Sequence, residues 1–212
     1  MVIKTVKTLL FYLTTQVLLS TGCSKSKCEN DLPVYSFKVT AEWAPQKETY
    51  NVGDTIFLIS RFPKVLSDQI NPSIVVNYSN AKQIDGGIGF GYLDSANQRS
   101  IPSIDSFTLA EVEGSYINIA SSQRNRINIA YSENTDHYSF YGAVVCRKPG
   151  IYSLGIVDLF CQGVSTTNDC SGAVFDITVT NTDKHLYLHQ NALGVDPNNP
   201  VLQKYSYDFR VR

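Results

Sequence analysis

The sequence has little of what catalysis or nucleic-acid binding requires. No serine lies in the G-x-S-x-G pattern of a nucleophile elbow, and leucine follows His185 where a zinc-protease motif needs glutamate. The 18 Lys and Arg residues balance 19 Asp and Glu residues and form no basic block, which disfavours a nucleic-acid partner. The apolar stretch 9–19 is shorter than the roughly 20 residues that cross a bilayer. We therefore predict no enzyme activity, no cofactor and no metal site.

The first residues of the chain are arranged as a secretory signal. Two lysines precede the apolar stretch, and small residues follow it and lead to Cys23. This ending resembles a bacterial lipobox, in which the cysteine is lipidated and becomes the new N-terminus, although Ser20 stands where leucine is usual. Ordinary secretory cleavage and an uncleaved anchor remain as alternatives. We predict a lipoprotein signal peptide at 1–22, a flexible tether at 23–32 and a membrane anchor through lipid, including palmitate, on Cys23.

The residues that follow Cys23 bear on localisation. The chain resembles lipoproteins of the Bacteroidota in general style. The segment 24–27, Ser-Lys-Ser-Lys, contains no aspartate of the kind that resembles an inner-membrane retention signal. It also lacks the early acidic cluster that resembles a surface-export signal. The resemblance implies an outer-membrane lipoprotein that faces the periplasm rather than the medium.

Of the five cysteines, four remain once Cys23 is assigned to lipid, and an even number suits the oxidising periplasm. If Pro149-Gly150 is a tight hairpin turn, Cys146 and Cys161 lie about 27 Å apart, too far for a disulfide. We favour a Cys161–Cys170 disulfide that clamps the loop between the two residues. A Cys28–Cys146 bond and four unpaired cysteines remain as alternatives.

Strand patterns dominate the rest of the chain, which has 13 Tyr and 10 Phe residues. Residues 34–43 alternate between apolar and polar side chains, which predicts a half-buried strand. The last residues predict another alternating strand, with Tyr205, Tyr207, Phe209 and Val211 facing one way and Ser206, Asp208 and Arg210 facing the other. The glycine-rich segment 85–92 predicts a bulged or twisted strand. Short strands about ten residues apart are typical of an antiparallel sandwich.

Two segments resemble parts of immunoglobulin-like sandwiches in bacterial surface proteins. Residues 50–59, Y-N-V-G-D-T-I-F-L-I, resemble the sequence at the entry to a strand, and residues 148–156, K-P-G-I-Y-S-L-G-I, resemble that of a late hairpin. The expected fold is therefore all-β: one antiparallel immunoglobulin-like β-sandwich, enlarged by extra strands, over 33–212. Two small domains are the alternative. One short helix is expected near 182–193, capped by Thr182 or Asp183 and ended by Gly194.

That helix would place His185 and His189 on one face, where zinc binding is a hypothesis and surface packing the default. Glu111 and Glu113 are a carboxylate pair, which on a strand is usually solvated. Glycan-binding modules use exposed aromatic rings, for which the sequence offers these candidates: Tyr138, Phe140, Tyr141, Tyr205 and Tyr207.

The predicted function is a cell-envelope lipoprotein whose sandwich binds a protein or glycan partner without catalysis. A structural accessory subunit of an outer-membrane complex is the first alternative, and a broad apolar surface patch would indicate it. An envelope hydrolase is the second. A pocket that holds a histidine within reach of a cysteine, serine or carboxylate would indicate such an enzyme.

Overall fold

The computed structural model describes residues 34–79, 81, 84–117, 126–164 and 168–212. Cys23, Cys28 and the predicted tether lie outside these residues. Pro33–Arg212 form a compact unit of their own. The strands in chain order are β1 Val34–Ala44, β2 Thr49–Tyr50, β3 Thr55–Pro63, β4 Val65–Ser67, β5 Val75–Asn77, β6 Ile84–Asp94, β7 Arg99–Pro102, β8 Phe107–Glu113, β9 Ser115–Ile117, β10 Arg126–Ala130, β11 Ser132–Glu133, β12 His137–Cys146, β13 Gly150–Val164, β14 Asn168–Val179 and β15 Ser206–Val211.

The strands form a mostly antiparallel, sandwich-like fold with two layers. One layer holds β8 and β11 on β12, followed by β3 and β1. The other holds β14 and β15 along one edge of β13, then β6, then β10 and β7, with β9 outermost. The short strands β4 and β5 pair only with each other in the described part of the chain. The all-β class and the sandwich-like fold predicted from the sequence are confirmed.

Strand β1 joins the two layers. Its residues 34–41 pair in parallel with β14, and its residues 41–44 pair in antiparallel fashion with β3. The predicted alternation of β1 is confirmed, because Phe37, Val39 and Trp43 are buried. Its apolar face therefore contributes to the core along its whole length.

Aromatic rings fill much of the core between the layers. Phe37, Tyr78 and Phe175 contact one another with ring centroids 5.0 to 5.5 Å apart. Aliphatic residues from both layers complete the core, including Leu58 and Ile156. Ring pairs at such distances add to the free energy gained from burial alone.

The predicted hairpin at Pro149-Gly150 is wrong. Strands β12 and β13 flank this turn, but β12 pairs with β3, β8 and β11, whereas β13 pairs with β6, β14 and β15. The chain crosses from one layer to the other here. Alternating patterns predict strands but not their partners, so the argument that separated Cys146 from Cys161 does not hold.

The glycine-rich segment lies in β6, as predicted. The register between β6 and β13 shifts between Val157 and Phe160, which is the expected irregularity. A Cβ atom on Gly86 would lie 2.4 Å from a Leu159 methyl carbon, so glycine permits this close approach.

Two short α-helices follow β14 in the described residues: α1 Tyr187–Leu193 and α2 Pro200–Tyr205. Helix α1 lies inside the predicted range and ends, as expected, at Gly194, whose φ is 70°. The predicted caps are wrong, because the N-cap residue is Leu186. His185 therefore precedes the helix and does not share a helical face with His189.

Candidate functional site

A polar pocket lies where the chain leaves β14 and enters α1. Its volume is about 420 Å³, within the range of ligand-binding pockets. Most of its lining carries hydrogen-bonding groups, supplied by the segment 181–187 and by α2. The lining residues are Asn181, Thr182, Asp183, Lys184, His185, Leu186, Tyr187, Pro197 and Gln203.

The pocket segment is tied to β1 by an asparagine clamp. The Oδ1 atom of Asn181 accepts a hydrogen bond from the Trp43 amide at 2.8 Å, and its Nδ2 donates to the Trp43 carbonyl at 2.7 Å. The side-chain amide of Gln46 donates a hydrogen bond from Nε2 to the Asp183 carbonyl at 2.9 Å. These bonds fix the backbone beneath the pocket, so its side chains project from a rigid support.

His185 and Asp183 form an acid–base pair in the pocket. The His185 Nδ1 atom lies 3.0 Å from Asp183 Oδ1, which also accepts the His185 amide at 2.8 Å. His185 is 8% exposed, and its Nε2 has no hydrogen-bond partner in the described part of the chain. Its φ of 51° is a left-handed conformation that residues other than glycine adopt at a cost. The local strain and the unsatisfied nitrogen both coincide with the pocket.

Lys184 brings a half-buried cation to the same pocket. Burial lowers the pKa of its ammonium group, because a charge loses solvation when it is covered by protein. The ammonium donates a hydrogen bond to the Gln203 carbonyl on α2. A ligand oxygen here would meet a cation that is less solvated than an ordinary surface lysine.

Tyr187 forms one side of the pocket mouth. It is 40% exposed. A hydrogen bond from Tyr187 is the main reason that the pKa of Glu48 lies below its usual range, and the same bond raises the pKa of Tyr187. Arg210 approaches Glu48 as well, with Nε 3.4 Å from Oε1. These contacts hold the Tyr187 side chain beside Glu48, while part of it stays exposed at the pocket.

A second aspartate–histidine pair lies beneath the pocket. Asp208 is completely buried, and its Oδ2 lies 2.6 Å from Nδ1 of His189 on α1. Its amide donates to the Lys184 carbonyl at 2.9 Å. Both faces of β15 are covered, because Ser206 and Asp208 are buried together with Tyr207 and Phe209. The end of the chain contributes a buried polar support in place of a solvated strand face.

The aromatic candidates from the sequence do not form a platform. Tyr138, Phe140 and Tyr207 are buried in the core, whereas Tyr141 and Tyr205 are half-buried. Tyr207 packs below the pocket, with its ring centroid 5.8 Å from that of His185. Tyr187 of the pocket lining is 40% exposed but was not among the candidates, and Phe160 on β13 is 51% exposed outside that lining. The place of Tyr187 in H-L-Y-L-H beside two histidines was the available signal.

The paired glutamates serve separate local roles. Glu111 accepts a hydrogen bond from the Tyr116 amide at 2.7 Å, and Glu113 accepts one from Asn134 at 2.6 Å. In the described residues no three His, Cys, Asp or Glu side chains come together in a way that could hold a metal ion. The described residues also contain no helix of the length and apolarity that a bilayer crossing demands.

The predicted Cys161–Cys170 disulfide remains a prediction, because the Cys170 side chain lies outside the described residues. Cys161 is buried in β13 opposite Ala173 of β14. Cys146 is also buried, and burial raises the pKa of its thiol to about 11. The Cys146 thiol is therefore protonated at neutral pH and is a poor nucleophile.

A second surface of different character lies on β4, β5 and the loop that joins them. We call residues 65–77 the apolar hairpin. Leu66 and Val76 face each other and pack against the core. Apolar residues on its other side and at its tip are exposed. These are Val65 (52%), Ile70 (80%), Ile74 (38%) and Val75 (60%).

One aspartate organises the tip of the apolar hairpin. Asp68 is buried, and its Oδ1 accepts a hydrogen bond from the Ser36 amide while its Oδ2 accepts one from the Asn71 amide, each at 2.9 Å. These bonds, led by that from Ser36, lower the pKa of Asp68. The Gln69 amide in turn donates to the Ser36 carbonyl at 2.7 Å. The tip is therefore fastened to the first residues of β1.

Comparison with known proteins gives low similarity throughout. The sequence matches no protein-family model and no curated protein at a significant level. Among solved structures, it is similar to a cohesin module from a Clostridium perfringens family 33 glycoside hydrolase, with 9% identity and a TM-score of 0.32, covering 66% of this chain and 97% of the module. The second type II cohesin module of the ScaA scaffoldin of Acetivibrio cellulolyticus has 9% identity and a TM-score of 0.32, and the match covers 66% of this chain and 92% of the module. A family 123 glycoside hydrolase from Clostridium perfringens has 14% identity and a TM-score of 0.23, and the match covers 65% of this chain and 24% of the hydrolase.

Proposed function

We propose that this protein is an envelope lipoprotein, anchored through Cys23, whose sandwich is a non-catalytic module that binds a short neutral glycan in the polar pocket. The observation that carries the proposal is a pocket of about 420 Å³ with hydrogen-bonding side chains inside and a partly exposed aromatic ring at its mouth. A sugar presents hydroxyl groups at its edge and C–H groups on its face, and this pocket offers partners for both.

The polar partners differ in what they can bind. The Asp183 side chain is 66% exposed, and its carboxylate accepts hydrogen bonds from hydroxyl groups. Lys184 donates hydrogen bonds, while Thr182 and Gln203 both donate and accept. The ring of Tyr187 can stack on the apolar face of a sugar. Together these groups recognise a ring with several hydroxyls better than an apolar ligand.

The test begins with a glycan array of the purified protein, followed by calorimetric titration of any glycan retained. We expect Tyr187→Ala to weaken binding about fivefold to tenfold, since an aromatic contact contributes about 1 kcal/mol. Tyr187→Phe keeps the ring but loses the hydrogen bond to Glu48, so it should weaken binding less than Tyr187→Ala does. Gln203→Ala should weaken binding, whereas Gln190→Ala, an exposed glutamine of α1 outside the lining, should not. An array without hits, or equal affinity for wild type and Tyr187→Ala, would contradict the proposal.

An envelope hydrolase is the second candidate, favoured by the Asp183–His185 pair. This pair orients Nδ1 of His185 and leaves its buried Nε2 without a partner in the described residues, and Nε2 would act as a general base only if the pocket opened onto it. No serine or cysteine belongs to the pocket lining among the described residues, so a water molecule would have to be the nucleophile. If His185→Gln abolished turnover of a bound glycan and left its affinity unchanged, catalysis would replace simple binding as the conclusion.

The anchor is tested separately from the pocket. The mature native protein should have the mass of the chain from Cys23 plus lipid, and Cys23→Ser should lose that added lipid mass. A native mass equal to that of the bare peptide would contradict the anchor and leave the glycan proposal standing.

A further inference from the structure

The apolar hairpin exposes more apolar surface than the fold requires. Leu66 and Val76 already bury its inner side, so Val65, Ile70, Ile74 and Val75 contribute little to the core. Four exposed apolar side chains on one short hairpin, interspersed with exposed Ser67, Asn71, Ser73 and Asn77, give it an amphipathic surface suited to an interface. The polar pocket has no part in this surface, because none of these residues lines it.

The position of the hairpin indicates which interface it contacts. Asp68 and Gln69 hydrogen-bond the amide and the carbonyl of Ser36, so the tip lies beside the start of β1. The chain reaches β1 from Cys23 through residues 24–33, which span at most about 35 Å when fully extended. An anchor at Cys23 would therefore keep the start of β1 within about 35 Å of its attachment point.

The charges around the hairpin suit a lipid surface. Within 64–78 the charged residues are Lys64 and Asp68, and Asp68 is buried. The nearest acidic groups lie at the base of the hairpin, where Lys64 Nζ lies 2.6 Å from Glu133 and Arg61 lies 4.0 Å from Asp136. No acidic side chain in the segment is exposed, so the tip does not repel anionic headgroups.

We propose that the tip of the apolar hairpin, with Ile70 and Ile74 leading, inserts into the headgroup region of the bilayer that carries the lipid anchor. The inference rests on the proposed anchor at Cys23 and is independent of the glycan pocket. A lipid chain and a few apolar side chains together give firmer attachment than either does alone. Insertion would also set the orientation of the sandwich, with the hairpin end against the membrane.

The test measures partition of the mature, unlipidated Cys23→Ser chain onto mixed phosphatidylcholine and phosphatidylglycerol vesicles by co-sedimentation. We expect measurable binding that falls about tenfold in the Ile70→Ser, Ile74→Ser double variant, because two apolar side chains no longer leave water. The matched control is Val112→Ser, Val201→Ser, which changes two exposed valines elsewhere and should bind like its parent.

A second measurement uses the lipidated protein on the same vesicles. Amide hydrogen exchange of residues 69–74 should be slower in the vesicle-bound lipidated protein than in the Cys23→Ser chain free in solution without detergent. Exchange at Val112 should be the same in both samples. Equal partition of both double variants, no partition of the parent, or unchanged exchange at the tip would overturn the proposal. Photo-crosslinks from position 70 to a protein in place of lipid would also overturn it. Because the first assay uses unlipidated protein, its result does not depend on whether native Cys23 is lipidated.

Discussion

The polar pocket and the apolar hairpin are both shaped by an aspartate that accepts backbone hydrogen bonds, yet they present opposite chemistry. At the hairpin, the carboxylate of Asp68 is buried and satisfied by amides, so residues 65–77 expose no charged side chain. At the pocket, the side chain of Asp183 is 66% exposed. Asp208 takes the buried structural role there. The backbone beneath the pocket is thus supported by the buried carboxylate of Asp208, while the carboxylate of Asp183 stays open to solvent.

The largest effect should come from the support beneath the pocket. Replacing His189 with alanine removes the partner of the fully buried Asp208 and leaves an uncompensated buried charge. We expect the free energy of unfolding in urea to fall by about 3 to 5 kcal/mol. His137→Ala is the control, because that histidine pairs with an exposed aspartate and should change stability little. Equal, small losses of stability in both variants would show that Asp208 lacks the structural role that distinguishes it from the exposed Asp183.

A smaller effect, dependent on pH, should come from the hairpin. Hydrogen bonds to the Asp68 carboxylate lower its pKa in the folded protein. Its contribution to stability is therefore complete above the unfolded pKa of about 3.9 and is lost as the pH falls through the lower, folded value. Asp68→Asn should lower stability at neutral pH and flatten the decline in acid, since an amide offers only one acceptor oxygen.

Amide exchange locates this effect. In wild type, protection factors at Ser36 and Asn71 should fall as the pH drops from neutral to about 3, because protonation weakens the bonds to the carboxylate. In Asp68→Asn the protection of the Asn71 amide should already be low at neutral pH. Unchanged protection in the variant would show that the hairpin tip is not held by Asp68.

The smallest effect on stability should come from the exposed tip itself. Ile70 is 80% exposed, so Ile70→Ser should change the free energy of unfolding by no more than about 0.5 kcal/mol. Chemical denaturation checks this value. A larger loss would mean that the tip serves packing, and the contrast between a structural pocket support and a dispensable apolar tip would fail.

The sequence was sufficient where burial follows strand alternation. Strand β1 shows its buried face directly in the order of Phe37, Val39 and Trp43. The same rule does not reveal the burial of Asp208, because α1 covers that side of β15 and supplies His189. That cover is a contact between distant elements, which alternation within one strand cannot reveal.

The candidate surfaces were harder to predict for two further reasons. Strands β4 and β5 are only three residues long, too short for their pattern to separate exposed Val75 from half-buried Val76. Several polar groups of the pocket come from a segment between β14 and α1, where no periodicity applies. The predicted aromatic platform failed because most of its rings fill the core, whereas Tyr187 is exposed by its place at the start of a short helix.

The pairing of β1 with both layers has a mechanical consequence. A pull on the N-terminal end of β1, along the strand, loads its parallel ladder with β14 in shear from Val34 to Ala41. Hydrogen bonds arranged across the pull must yield together rather than one after another, so the resisting force is shared along the ladder. Beyond residue 41 the same strand is held by β3 in the other layer. A domain held by its N-terminus thus meets tension with its longest parallel pairing.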